Sequence, residues 1–561
     1  MRVAVLALDG FPYRLLKEVA PAMPTLSKIL DNGTWGKLVS TIPYVTATAW
    51  TSFMTGKNPG RHGVFGFFSR ASNSPSDVGS LVAGFSIKDP TLWGVLSKAG
   101  FKVGVFGVPM TYKPEPVNGF LISGFPLPRH AEDYTQPPGL QAELKERGWN
   151  FADVPTQAYS EAQLDSFYAE LKVRVRQKTD AVLHLLGRQS MDFFMVHYFE
   201  TDKVLHDYLN FRYPTQTDAK HFERYGGHVQ EFFAYLDSEL ERVVSVLPPS
   251  ANIFVVSDHG LSPGSHVFLA DTWLLNEGYM KVKRRVASQA RYLLFKVGIT
   301  PELAFKLLPG RASGALLETF MGEYWEVEKP SKENFAGRVS KVLYKLLLSK
   351  QTDIDWDNST AYSFGGYGVF NVYLRVEDDA KKNAMTAEVV SKLRGLTYHG
   401  ELVFDKVLLA QDVYVMTGQR GAQHDIPDIM AYDEESEYVA LANPTFFTSN
   451  HPVTKKYANK SEANHDRNGI IAVCGPEIAN AGGILESDIT DVFPTILHYF
   501  GLGIPRDVDG RLIKTIFKSD SEASRREPAF VEPEATQGNS SAFNEAEESE
   551  IVDKLRRMGY V

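Results

Sequence analysis

Short apolar runs recur along the chain, and each ends abruptly in polar or glycine-rich residues: VAVLALD at the start, then KVGVFGV, FFMVHYF, NIFVVSD and IIAVCG. Runs of this kind, without the alternation of a half-exposed strand, fit a parallel sheet covered on both faces. Between them lie segments such as PTLSKILDNG and LWGVLSKAGF, each with an apolar stripe and a glycine near its end, which predict helices with their stop signals. The alternation predicts an α/β fold, a three-layer αβα sandwich around a mostly parallel central sheet. From about residue 276 to 434 the pattern changes to a basic helical stretch (KVKRRVASQARYLLFKV), then AYSFGGYGVFNVYLRV, a helix and DKVLLAQDVYV. This predicts an inserted α+β subdomain over 276–434. The main domain then comprises 1–275 and 435–517, because IIAVCG and the amphipathic DITDVFPTILHYFG return to the earlier pattern. Residues 518–561 read as a flexible acidic linker and a short C-terminal helix whose stripe of Ile551, Leu555 and Met558 should dock onto a neighbour.

The length of 561 residues agrees with more than one core, since single cores stop growing near roughly 250–300 residues. Hydrophobic residues at 43% and charged residues at 23% exclude wholesale disorder. A net charge of -9 without a dense Lys/Arg block excludes a nucleic-acid polymer as partner. The apolar stretch RYLLFKVGITPELAFKLL is interrupted by Lys296, Pro301 and Glu302, whereas a membrane span needs roughly 20 mostly apolar residues, so no membrane association is expected. The first strand reaches a polar Asp9 at once, leaving no room for a removable signal. With a single cysteine, Cys474, in an apolar run that reads as buried rather than reactive, a reducing, cytoplasmic location is expected.

In a sheet of this kind functional groups collect at the carboxyl ends of the strands. Asp9 ends the first run, Asp202 follows FFMVHYF, and Asp258 with His259 ends NIFVVSD. The spacing of Asp202 and His206 puts both on one side of a helical turn, where they can share an ion, although such pairs are more often surface pairs or caps. The glycine after Asp9 permits close approach of backbone to a ligand. The segment PYVTATAWTSFMTGKNPGRHG supplies hydroxyls at Thr46, Thr48, Thr51, Ser52 and Thr55, which alone would read as a helix cap. His465, just before IIAVCG, could complete the set, though alone it would read as a loop histidine. Asp9, Thr46, Asp202, His206, Asp258, His259 and His465 together offer enough imidazole and carboxylate for two divalent ions. That donor mixture favours zinc, with manganese or iron as alternatives, over magnesium.

These elements resemble, in order, the alkaline phosphatase superfamily and within it the type I phosphodiesterase and nucleotide pyrophosphatase branch. LALDG, PYVTATAWTSFMTGKNPGRHGVFGF, TDKVLH, SDHG and NHDRNGIIAVCGP carry the likeness. GVPMTYKPEPVNGFLISGF and AYSFGGYGVFNVYLR are similar to a group described as phosphohydrolases or phosphomutases of that superfamily. The resemblance implies one ion held by Asp202, His206 and His465 and another by Asp9, Asp258 and His259. It implies Thr46 as nucleophile, with Thr48 as runner-up, because of its distance from Thr55-Gly56. The implied activity is a phosphodiesterase or nucleotide pyrophosphatase reaction on a small phosphate ester or diester through a phospho-threonine. The alternatives are a phosphomonoesterase or phosphomutase of the same superfamily, and less readily an inactive metal-binding scaffold.

One departure stands out. Where the nucleotide pyrophosphatases place an asparagine three positions after the nucleophile, this chain has Ala49, followed by Trp50. Other donors would then hold phosphate oxygens: the backbone N–H of Ala47, or Thr111, Tyr112 or Asn118. The segment lacks the cysteine or serine context of a sulfatase, and the threonine leans against the serine-dependent phosphoglycerate mutases. His62 reads as a structural histidine, and Phe65, Phe67, Phe68, Tyr362 and Tyr367 as core or interface aromatics before cleft residues. A homo-oligomer is an open expectation.

Overall fold

Every residue of the first strand, Val3–Leu8, is buried, and its side chains divide by parity. Ala4, Leu6 and Leu8 enter one apolar cluster, while Val3, Val5 and Ala7 enter another. A run without polar alternation therefore is covered on both sides, and the fold is an α/β three-layer sandwich. The computed structural model describes the chain apart from residues 75–78, 153–160, 304–345, 365–367, 415–423, 443–446, 456–462, 535–542 and 558–561.

The central sheet has nine strands in the order Gly482–Asp488, Gly33–Val39, Asn468–Cys474, Asn252–Val256, Val3–Leu8, Phe193–Tyr198, Val103–Phe106, Gly119–Ile122 and Thr135–Gln136. All run in one direction except Asn468–Cys474 and the short edge strand Thr135–Gln136. In the middle of the sheet Ala7 pairs with His197 on one side and Val256 on the other, so Asp9, the start of the helix Glu200–Tyr208 and Ser257–His259 emerge at one rim. The reversed strand matters most for function. Its register sets Ile471 against Val256 and Cys474 against Ile253, so its beginning, not its end, lies at that rim.

A second sheet, wholly antiparallel, has the order Ala361–Ser363, Phe370–Leu374, Ile429–Tyr432 and Lys406–Leu409. The helix Asp379–Arg394 covers it with Val389 and Leu393, in a core of its own with Phe268, Trp273, Phe370 and Val372. A small cluster joins this sheet to the first: Ile42 and Tyr44 pack with Val369, Tyr414, Met430 and Tyr432.

Toward the C-terminus, Glu522–Arg525 is helical and Phe530–Val531 pairs with Ile504–Pro505. The helix Glu545–Arg557 buries Ile551 and Leu555 completely, while Met558 lies outside the described residues. Phe543, just before that helix, stacks on Tyr112 and meets Phe85 edge-on. No helix of the described residues is long and apolar enough to cross a membrane.

Candidate active site

Five segments meet at the rim. Asp9 follows the first strand, and Gly10 turns the chain with φ +67°. A Cβ at Gly10 would stand 2.5 Å from Leu261 Cδ1 and 2.9 Å from Asp202 Oδ1, so the glycine is required by both conformation and space. Asp202 and His206 lie one turn apart on the helix Glu200–Tyr208. Asp258 and His259 follow Asn252–Val256. His465 sits in Asn464–Asp466, which pairs antiparallel with Gly260–Ser262 and leads into the reversed strand. Thr46 opens the helix Thr46–Thr55.

The side chains converge closely. Thr46 Oγ1 is 3.2 Å from His259 Nε2, which is itself 3.7 Å from Asp9 Oδ1 and 3.4 Å from Asp258 Oδ2. His206 Nε2 lies 3.2 Å from His465 Nε2 and 3.3 Å from Asp202 Oδ1. Two groups have ligand atoms within 4.8 Å of one another: Asp202 with His206 and His465, and Asp9 with Asp202 and His259. Asp202 belongs to both, and Asp258 flanks the second.

The protonation pattern follows from the backbone. Nδ1 of His206 faces Ala463 O at 2.9 Å, Nδ1 of His259 faces Gly260 O at 3.0 Å, and Nδ1 of His465 faces Tyr44 O at 2.9 Å. A carbonyl can only accept, so each Nδ1 carries the proton and each ring turns its Nε2 inward. The Nε2 lone pairs of neutral imidazoles facing carboxylates repel unless a cation lies between them, and a backbone carbonyl fixing the far ring nitrogen is the usual support of a metal-bound histidine. Asp9 Oδ1 and Asp258 Oδ2 are buried and accept no hydrogen bond from a described residue. The donor set therefore fits divalent cations.

Electrostatics agree. Burial, reinforced by the charge of Asp202, pushes the Asp9 carboxyl up to about 7. Burial and the charge of Asp9 push Asp258 well above the ordinary carboxylate range. For Asp202 burial acts upward, but His206 and Lys203, whose Nζ is 2.8 Å from Oδ2, bring the net position well below the ordinary value. Burial holds His259 and His465 in the neutral form, His465 also through its imidazole neighbours. Without a cation, neutral pH leaves protons on part of the carboxylate set, as expected where desolvation is uncompensated.

Two supporting residues were not legible as such. Asp9 Oδ2 accepts from Trp50 Nε1 at 3.0 Å and His197 Nε2 at 2.7 Å, which leaves Oδ1 turned toward His259. His197 had a usable signal: an imidazole inside the apolar run FFMVHYF must find a partner. Trp50 carried none beyond its place beside Ala49. His62 is structural, its Nδ1 accepting from Val64 N at 3.1 Å and its Nε2 donating to Ser52 Oγ at 2.8 Å.

Of the residues expected to hold phosphate oxygens, the rim receives some and not others. Ala47 lies in the first turn of the Thr46 helix, where Val45 gives no side-chain cap and the leading N–H groups have no intrahelical acceptor. The Thr111 hydroxyl is engaged, donating to Val108 O at 2.6 Å and accepting from Gly124 N at 3.0 Å. Tyr112 donates to Asp133 Oδ1 at 2.7 Å, beneath Phe543. Asn118 precedes the strand Gly119–Ile122 and bonds Gly100 O and Phe101 O, which puts it at the opposite rim, away from Thr46. Strand direction is the reason: the VPMTYKPEPVN loop starts at the functional rim and ends at the other. Thr48 Oγ1 is buried without a hydrogen bond from a described residue, so Thr46 is the threonine beside His259. Phe67 and Phe68 are core residues, Phe65 packs on Tyr414, Tyr362 covers Arg70, and Tyr367 lies outside the described residues.

Residues 3–312 match the family described as type I phosphodiesterase / nucleotide pyrophosphatase. No curated protein matches the chain. Among solved structures, murine ectonucleotide pyrophosphatase / phosphodiesterase 5 is similar at 12% identity and TM-score 0.47, covering 92% of this chain and 100% of that one. An inactive form of the murine protein in complex with AMP and the human protein of the same name give the same 12% identity, TM-score 0.47 and coverage of 92% and 100%.

Proposed function

The chain belongs to the type I phosphodiesterase / nucleotide pyrophosphatase family, and from that premise we propose that it is a metal-dependent phosphohydrolase acting on a small phosphodiester or pyrophosphate through a phospho-threonine at Thr46. The observation that carries this is the placement of Thr46 Oγ1 at a helix start, 3.2 Å from His259 Nε2, among inward-turned imidazoles and desolvated carboxylates.

Asp202, His206 and His465 would hold one ion, and Asp9, Asp258, His259 and Thr46 the other, with Asp202 between the two groups. The imidazole-rich donor set puts zinc first, with manganese or iron as alternatives. Divalent ions bound there supply Lewis acidity, lowering the pKa of a hydroxyl and offsetting charge on phosphate oxygens. The chain's own residues do the rest. The free N–H groups at the start of the Thr46 helix, including that of Ala47, aim at a phosphate oxygen. Thr46 Oγ1 forms a bond to phosphorus as the bond to the leaving oxygen breaks in line, and water then cleaves the phospho-threonine. Gly10 leaves room for Asp202 beside Asp9 and donates its N–H to Asp258 Oδ1 at 3.2 Å, while Trp50 and His197 hold Asp9 with Oδ1 inward. A reducing, cytoplasmic setting belongs to the same proposal and rests on the lone Cys474.

Ala49 favours a second reading, a phosphomonoesterase or phosphomutase, because its methyl group offers no donor where an asparagine would serve a diester substrate. Metal analysis of the purified chain beside rates on a paired aryl phosphate monoester and diester decides between them. The proposal expects bound divalent metal and a diester rate at least equal to the monoester rate; a diester rate far below would establish the second reading. Thr46→Ala is expected to abolish turnover with metal content nearly normal, and wild-type rates in a stripped and re-metallated mutant would remove Thr46 from the mechanism.

A further inference from the structure

The loop that delivers Thr46 is not held by the central sheet alone. Ile42 and Tyr44, from that loop, are buried in the cluster they share with Val369, Tyr414, Met430 and Tyr432 of the second sheet and its flanks. Tyr414, nearly four hundred positions away, donates its hydroxyl to Ile42 O at 2.5 Å. The Tyr44 ring meets Tyr432 edge-on at 6.0 Å and closes against Gly368, where a Cβ would lie 2.6 Å from Tyr44 Oη. On the other side Arg467 ties the loop start, donating Nε to Ser40 O at 3.1 Å and NH1 to Tyr432 Oη at 3.0 Å. The clamped segment has two outputs at the site. Its Tyr44 carbonyl accepts the Nδ1 proton of His465, and two residues on, Thr46 starts its helix.

We infer that Tyr414 is a positioning residue: by holding the Ile42 carbonyl from the second sheet, it fixes both the orientation of His465 and the placement of Thr46. The bond is buried, and the Tyr414 hydroxyl bonds Ile42 O and Met430 Sδ rather than a candidate ligand, so its effect reaches the site through the loop. Loss of the hydroxyl lets the loop shift while leaving the ring in its packing. Supports of metal-bound histidines typically change metal affinity by roughly 10–100-fold when removed, and a displacement of about 1 Å at a nucleophile is worth roughly 100-fold in rate. One removed step away, Tyr414→Phe is expected to weaken metal binding by about tenfold and to lower kcat at saturating metal by about tenfold, with KM within about twofold.

The inference rests on the metal-site reading above, and the experiment separates them. Zinc is titrated into chelator-stripped full-length protein against a chromophoric chelator, and kcat and KM are measured on an aryl phosphodiester at saturating zinc. Wild type binding no zinc sinks the metal-site reading. Wild type binding zinc while Tyr414→Phe matches it in both affinity and kcat overturns the role of Tyr414. Met430→Leu keeps the Ile42 bond and removes only the sulfur that the Tyr414 hydroxyl also touches at 3.2 Å; it is expected to match wild type, and a loss equal to that of Tyr414→Phe would assign the effect to packing and overturn the inference. Should Tyr414→Phe fail to fold, Tyr432→Phe, which cuts the Arg467 tie, is read by the same two measurements with the same outcomes.

Discussion

Trp50→Phe isolates one hydrogen bond at the base of the proposed site. The indole N–H, 3.0 Å from Asp9 Oδ2, is one of two donors to that oxygen; the His197 donor at 2.7 Å stays. A hydrogen bond to a charged acceptor contributes about 1.5–3 kcal/mol, and about 1.4 kcal/mol corresponds to one pKa unit. The Asp9 carboxyl, already raised to about 7 by burial and by Asp202, should therefore rise by roughly one to two further units. The sign follows. A raised acid keeps its proton below its pKa, and that proton must leave before a cation is bound, so wild-type metal affinity should fall about tenfold per pH unit below the Asp9 pKa and level off above it. Asp258 adds to the slope in both proteins, since it too is raised, by burial and the charge of Asp9 and not through Trp50. In the variant the break should move upward by the same one to two units, giving roughly a 5–50-fold loss at neutral pH, where wild-type Asp9 is itself about half protonated, that shrinks as the pH passes about 9. Competitive zinc titrations from about pH 6 to about pH 9.5 measure this. A loss of equal size at every pH, or an unmoved break, would refute the reasoning, because lost packing around Trp50 carries no proton.

Other substitutions probe the frame. Gly10→Ala forces a left-handed backbone on alanine and drives a methyl into Leu261 and Asp202; it should destabilise the fold by about 1–3 kcal/mol in denaturant unfolding and sharply reduce bound metal. His62→Ala should lower stability by about 1–3 kcal/mol through the lost Ser52 and Val64 bonds, yet leave bound metal per chain unchanged, and metal loss would make His62 part of the site. Leu555→Ala, at a fully buried position of the C-terminal helix, should cost about 2–5 kcal/mol of that helix's docking, read as faster hydrogen exchange across Glu545–Arg557; unchanged exchange would mean the helix is held by other contacts.

Asp9, Asp258 and His259 could be read from the chain because each stands where an apolar run stops, and a buried parallel strand has to stop at a rim. Asp202 and His206 could be read as a pair through helical spacing. The arrival of His465 could not be derived that way. A strand shows the same apolar run whichever way it points, and had Asn468–Cys474 run with its neighbours, His465 would have emerged at the far edge. Its family resemblance, not its pattern, placed it. Asn118 failed for the mirror reason, since loop length says nothing about which edge its last residue reaches. Trp50 and Tyr414 were hidden differently: their function is a single polar atom on a side chain whose bulk reads as core.

The three Nδ1–H groups that rest on carbonyls of Gly260, Ala463 and Tyr44 carry an evolutionary corollary. Anchors made of main chain cannot be swapped by point mutation, so the aim of these rings is inherited with the backbone itself. Drift in metal preference or turnover would then have to work through Trp50, His197 and Lys203, the neighbours that grip the carboxylates, and variation within relatives should concentrate its chemical consequences there.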